Sequence, residues 1–108
     1  MKFVNFTPHV INIVSAEGEP VLSLESSGIA RCAEEAHLID EIDGVCLYDM
    51  QYGAVTGLPD SEKGTMYIVS QLVRQAIPER LDIASPGPLV RNADGNPVGC
   101  KGLICNHR

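Results

Sequence analysis

Residues 64–83 read GTMYIVSQLVRQAIPERLDI, and this segment decides the fold. Residues 67–69 are of β-favouring types, whereas the apolar residues that follow them recur at helical spacing. Ser70 is suited to cap a helix, and Pro78 cannot continue one because it lacks the backbone N–H group. The segment therefore predicts a buried strand that passes directly into one short helix at about residues 70–77.

Turn-forming residues divide the rest of the chain into short β-rich runs. Asp43-Gly44 and Asp94-Gly95 are strong hairpin signals, because glycine readily adopts the positive φ that tight turns require. Residues 33–37 fit either a helix or a strand, and a loop is expected from Gly53 to Gly64. The predicted hairpins join 10–14 with 21–24, 38–42 with 45–48 and 89–91 with 98–100, and further strands are expected at 29–32 and 81–84.

The length and composition indicate one domain. The chain has 108 residues, of which 44% are hydrophobic, and this is enough for one ordinary core but too little for two. We therefore expect residues 1–108 to form a single α+β domain, small and β-rich, built of antiparallel hairpins with one short helix.

The charge distribution argues against two classes of partner. The net charge is −6, and residues 1–54 carry nine acidic and two basic side chains. An acidic surface repels phosphate backbones and anionic lipids, so neither general nucleic-acid binding nor membrane binding is expected. The first residues lack a secretory signal, and no apolar run approaches the roughly 20 residues of a spanning helix. The sequence thus predicts a cytoplasmic protein.

The four cysteines do not have the spacing of a metal site. In Cys100-x4-Cys105-x-His107 the thiols are further apart than on a zinc knuckle, and Cys32 and Cys46 lie far away in sequence. In the cytoplasm they are expected to be reduced and to serve as small buried hydrophobic residues. No metal or other cofactor is predicted.

An ordered set of short motifs covers most of the chain. This set resembles a family of small, functionally uncharacterised proteins of bacteria and their phages, and the resemblance implies no particular activity. Residues 25–28, Glu-Ser-Ser-Gly, depart from the Pro-Pro-Ser-Gly of that family. The motifs are Asn5-Phe6-Thr7-Pro8-His9, Ser27-Gly28, Ala30-Arg31, Gly53, Gly57-Leu58-Pro59, Gly64-Thr65, Tyr67-Ile68-Val69-Ser70, Leu72-Val73, Ala76, Pro78-Glu79-Arg80, Asp82, Pro86-Gly87, Val90-Arg91 and Gly99-Cys100.

The start of the helix is the best candidate for a ligand site, because the first amides of a helix lack intrahelical partners and attract anions. Arginines that follow the helix could bind phosphate or carboxylate through two hydrogen bonds, and an imidazole after Thr7-Pro8 could contribute a base or a hydrogen-bond donor. Each residue also has a structural alternative, such as a helix cap, an Arg–Asp pair or a histidine bonded to a backbone carbonyl. The candidate ligand-binding residues are His9, Ser70, Gln71, Arg74, Arg80, Asp82 and Arg91.

Three functions remain open at this stage. The leading hypothesis is a non-enzymatic protein that binds or sequesters a small anionic ligand such as a nucleotide and can form a homo-oligomer. Sequestration of a host signalling nucleotide would be a natural role in a phage-like family, and this is an analogy. The rival is a small hydrolase or lyase that uses His9 with Asp82 or Asp49. The third is an accessory protein–protein interaction module that docks a partner on a strand edge or an apolar patch.

Overall fold

The structure is a computed structural model that describes residues 1–107. Over these residues, strands dominate and the one helix has six residues. The predicted fold class, a small β-rich α+β domain with one short helix, is confirmed. The elements are β1 (Lys2–Asn5), β2 (Ile11–Val14), β3 (Pro20–Leu24), β4 (Arg31–Ile42), β5 (Val45–Thr56), β6 (Thr65–Ile68), α1 (Gln71–Ala76), β7 (Ile83–Pro86), β8 (Leu89–Arg91), β9 (Pro97–Lys101) and β10 (Leu103–Cys105).

Two four-stranded sheets and one long hairpin make up the fold. The first sheet has the order β1-β6-β7-β10, and the second has the order β3-β2-β9-β8. The predicted hairpins β2–β3, β4–β5 and β8–β9 are all present and antiparallel. Beyond these, β1 pairs with β6, β6 with β7, and β2 with β9 in parallel, which the antiparallel prediction did not include. Strands β1 and β10 were not predicted either.

The strand–helix unit forms as its sequence predicts. Ser70 is the N-cap of α1, in an extended conformation, and its Oγ accepts a hydrogen bond of 3.3 Å from the backbone N–H of Val73. Ile77 closes the helix, and its N–H donates to the carbonyl of Arg74. Pro78 follows at once, so the missing N–H stops the helix where expected.

The β4–β5 hairpin corrects two predictions made from sequence and settles one alternative that the sequence left open. Both strands are 12 residues long, so residues 29–32 and 38–42 do not form two separate strands, and residues 33–37 are strand. Gly53 lies inside β5 rather than in a loop. The tip is as predicted, because Asp43 and Gly44 have φ values of 52° and 82°, the positive values of a tight hairpin turn.

The core lies on both faces of the first sheet, because successive residues of a strand point to opposite sides. Tyr67 and Val69 pack with Val73 of the helix and with the base of the β4–β5 hairpin. Ile68 points the other way and packs with Ile13 and other residues of the second sheet. The first sheet is thus the middle layer of three.

The cysteines differ from their predicted burial. Cys100 is buried in the core between the sheets, as expected, but Cys46 and Cys105 are exposed and Cys32 is half-buried. All four are free thiols. Within residues 1–107, no three His, Cys, Asp or Glu side chains are grouped so as to hold a metal ion, and no helix is long and apolar enough to cross a membrane.

Candidate functional site

A concave site opens at one edge of the first sheet. Strands β1, β6 and β7 are parallel, so their carboxyl ends meet at this edge. A cavity of about 850 Å³ lies there, between the first sheet and the second, with apolar walls that include Val10, Leu89 and Val98. The edge formed by the carboxyl ends of parallel strands is a common place for ligands in sheets that have helices. The polar lining residues are Thr7, His9, Asn12, Ser70, Gln71 and Ser85.

The loop from β1 into the cavity is held by Asn5. This side chain is 1% exposed, and its Oδ1 accepts hydrogen bonds of 2.9 Å from the Thr7 N–H and 2.7 Å from the Thr7 hydroxyl. Its Nδ2 donates to the carbonyls of His9, at 2.7 Å, and Leu24, at 3.0 Å. Both ends of the amide are therefore satisfied, and the backbone of residues 5–9 is fixed with His9 exposed beside the cavity.

Asn5 was not among the predicted site residues. The Asn-x-Thr pattern before Pro8 contained a signal, because an asparagine side chain often bonds to the backbone two residues later. Sequence could not show that the same side chain would also reach Leu24, which lies in β3.

Two predicted residues, Ser70 and Gln71, line the cavity at the start of α1. The Ser70 hydroxyl caps the helix, which was its structural alternative. The helix has only six residues, so its dipole is small. Ser70 and Gln71 therefore contribute a hydroxyl-bearing and an amide-bearing residue to this edge of the cavity.

Arg74 supports the cavity wall and does not line the cavity. Its Nε donates to the hydroxyl of Ser85 at 2.8 Å, and Ser85 is a buried residue of β7 that borders the cavity. Asn106 lies within hydrogen-bonding distance of the Arg74 guanidinium and donates from Nδ2 to the carbonyl of Ile77 at 3.0 Å. The network joins the helix to β7 and to the segment after β10.

Arg80 and Asp82 bind each other, which was also their structural alternative. Nε of Arg80 lies 3.1 Å from Oδ1 of Asp82, and its Nη2 lies 2.6 Å from Oδ2. The guanidinium also donates to the carbonyl of Pro59 and lies 5.9 Å from the centre of the Tyr67 ring. The pair thereby fastens the loop before β6 to β7, and neither residue lines the cavity.

The pair shifts both protonation equilibria towards the charged forms. The hydrogen bond to Asp82 raises the pKa of Arg80 despite partial burial. Burial by itself would raise the pKa of Asp82, but hydrogen bonds from Arg80 and Ser61 and the charge of Arg80 together outweigh it, so the pKa lies below its usual value. Asp82 is a carboxylate at neutral pH.

Arg91 lies in the β8–β9 hairpin and is exposed. Its guanidinium donates to the carbonyl of Gly95 at 2.9 Å, across the turn of its own hairpin. The structure therefore brings His9, Ser70 and Gln71 together at the cavity, and it does not place Arg74, Arg80, Asp82 or Arg91 in the lining.

The acid–base pairs of the hydrolase hypothesis are not assembled. Asp82 is engaged by Arg80, and Asp49 lies on the β4–β5 hairpin opposite His37. Within residues 1–107 neither carboxylate forms an ion pair with His9. An imidazole beside hydroxyl and amide groups can bind and orient a ligand, but it has no carboxylate to hold it in one tautomer.

Comparisons of the chain with protein-family models, with curated proteins and with solved structures find no match. The resemblance to a phage family and the function that it suggests therefore stay predictions.

Proposed function

We propose that this chain is a non-enzymatic protein that binds or sequesters a small molecule in the cavity between the two sheets. The observation that supports the proposal is the cavity itself. Its volume of about 850 Å³ falls in the range of small-molecule sites, and its apolar walls with a few converging polar groups are typical of them. The site is partly open to solvent, which allows exchange of a free ligand.

The lining suggests the chemistry of the ligand. Apolar side chains from both sheets favour a flat, largely apolar body, while His9, Ser70 and Gln71 favour hydrogen-bond acceptors at one end. Among residues 1–107 no Lys or Arg lines the cavity, so the ligand would carry little negative charge, in one group placed beside His9, Ser70 and Gln71. A nucleoside or a mononucleotide, with its base against the apolar wall, is the first class to test.

The experiment is a thermal-shift screen of the whole chain with nucleosides, linear and cyclic mononucleotides, and inorganic phosphate as the charge-only control. A ligand that binds only the folded state at about 100 times its Kd adds about 2.7 kcal/mol and raises the Tm by more than ten degrees. Any hit is then measured by calorimetric titration.

A blocking variant identifies the site. Leu89→Trp should fill part of the cavity and abolish binding, because Leu89 is an exposed lining residue. The matched control is Leu81→Trp, at an exposed leucine outside the lining, which should bind like the parent. Equal loss of binding in both variants, or equal binding by both, would remove the cavity as the site.

A further inference from the structure

The β4–β5 hairpin, here called the arm, is exposed along most of its length and has two different faces. Residues directly opposite each other share a face, so the pairs Leu38–Tyr48 and Ala36–Met50 lie on one side of the ribbon. The pairs His37–Asp49 and Glu35–Gln51 lie on the other side, here called the polar face, although Leu47 and Val45 also lie on that side towards the tip. We call the first side the apolar face; Leu38, Tyr48 and Met50 on it are 59%, 57% and 40% exposed.

The apolar face is continuous with the face that packs on the core. At the base of the arm, Cys32 and Val55 are opposite each other and contact the core cluster of Tyr67 and Val73. On β4, Cys32 shares its side with Glu34, Ala36 and Leu38, because alternate residues of a strand point the same way, and Tyr52 lies opposite Glu34. The arm thus carries a core-type surface outward beyond the core that would cover it.

An arm of this kind needs a cover. An isolated two-stranded hairpin is at best marginally stable in water, and a third strand or a packed apolar face is required to hold it. Both edges of this ribbon are free over the outer part of the arm, and its apolar face contacts no other layer there. We therefore expect a second protein surface to cover the apolar face of the arm.

The solvent-accessible area of the chain indicates that such a covering surface can be large enough for a stable interface. The chain exposes 7301 Å², whereas a monomer of 11.6 kDa is expected to expose about 5,800 Å². The radius of gyration of 16.5 Å likewise exceeds the value of about 13 Å for a compact domain of this length. An excess of about 1,500 Å² is more than the roughly 800 Å² that each partner buries in a stable interface.

We propose that the apolar face of the arm is the interface of a homodimer, in which the arms of two chains pack face to face about a twofold axis. Beyond the base of the arm, Glu35, Asp40 and Asp49 are on the opposite face, and Glu34 and Glu41 lie towards the two ends of the apolar face. The middle of the interface is thus uncharged, so two copies meet without strong repulsion and no basic partner is required. A second copy of the chain is also the one interface partner that is available whenever the chain folds.

This inference is independent of the proposed ligand site, because no residue of the arm lines that cavity. It makes Tyr48 and Met50 interface residues, and aromatic side chains and methionine are enriched in such positions. The dimer supplies each arm with the packed apolar layer that the single chain lacks.

The test compares adjacent residues of β5 that point to opposite faces. Met50→Lys places a charge on the apolar face, and the matched control, Gln51→Lys, adds the same charge on the polar face. Sedimentation velocity of the parent should give about 23 kDa, twice the chain mass of 11.6 kDa. Met50→Lys should raise the dimer Kd by at least about 100-fold, and Gln51→Lys should change it by less than about 3-fold.

Folding is checked by circular dichroism, and hydrogen exchange of the parent provides a second measurement that needs no variant. Arm amides should exchange faster below the dimer Kd than above it, while those of β6 should not change. The proposal is overturned by a parent that is monomeric at about 100 µM. It is equally overturned by a dimer that tolerates Met50→Lys, which would place the contact elsewhere, or by arm exchange that does not depend on concentration.

Discussion

Replacing Asn5 by alanine tests whether this buried amide holds the cavity loop. The substitution removes a side chain that is 1% exposed and makes hydrogen bonds with Thr7 N–H, the Thr7 hydroxyl and the carbonyls of His9 and Leu24. A typical buried hydrogen bond contributes about 1 kcal/mol, and a partner left unsatisfied costs about 1–3 kcal/mol. Because some of the partners can reach water after the loop relaxes, we expect a loss of about 3 kcal/mol.

Urea unfolding followed by circular dichroism measures this loss. For a domain of about 100 residues, 3 kcal/mol corresponds to a fall in Tm of about 12–24 °C. The control is Asn12→Ala, at an exposed strand position whose side chain accepts one hydrogen bond from Ser23, and it should cost less than about 0.5 kcal/mol. A loss at Asn5 below about 1 kcal/mol, or one equal to that at Asn12, would show that the loop does not depend on this amide.

Three further predictions concern stability. Ser70→Ala removes the N-cap of α1 and should cost about 1 kcal/mol in urea unfolding; no change would mean that the cap is dispensable. The pKa of Asp82 is lowered in the folded state, so the contribution of its carboxylate to the unfolding free energy is complete above about pH 4 and is lost as the pH falls through the folded-state pKa. The difference in unfolding free energy between the parent and Asp82→Asn should therefore shrink below about pH 4. A constant difference would contradict this. Gly57→Ala should destabilise more than Gly18→Ala, since both residues have positive φ but a Cβ on Gly57 would clash with the carbonyl oxygen of Ile29 while one on Gly18 meets nothing within 4 Å; equal melting temperatures would refute this.

The sequence by itself determined the features that depend on neighbouring residues. Ser70 and Pro78 bound the helix because a cap and a missing N–H act within one turn. Asp43-Gly44 fixed the tip of the arm because the turn needs positive φ at both positions. These are local effects, and any tertiary context compatible with them gives the same result.

The tertiary structure alone decided the features that join distant parts of the chain. The parallel pairing of β1 with β6 links Lys2 to Thr65, and no local pattern specifies which of several similar strands will meet. For the same reason, only some of the predicted site residues line the cavity. His9 and Gln71 meet there because β1 and β6 are neighbouring strands, whereas Arg80 lies outside it and is paired with Asp82, two residues away. The exposed apolar face of the arm followed from length, since β4 and β5 extend beyond the core that covers only their base.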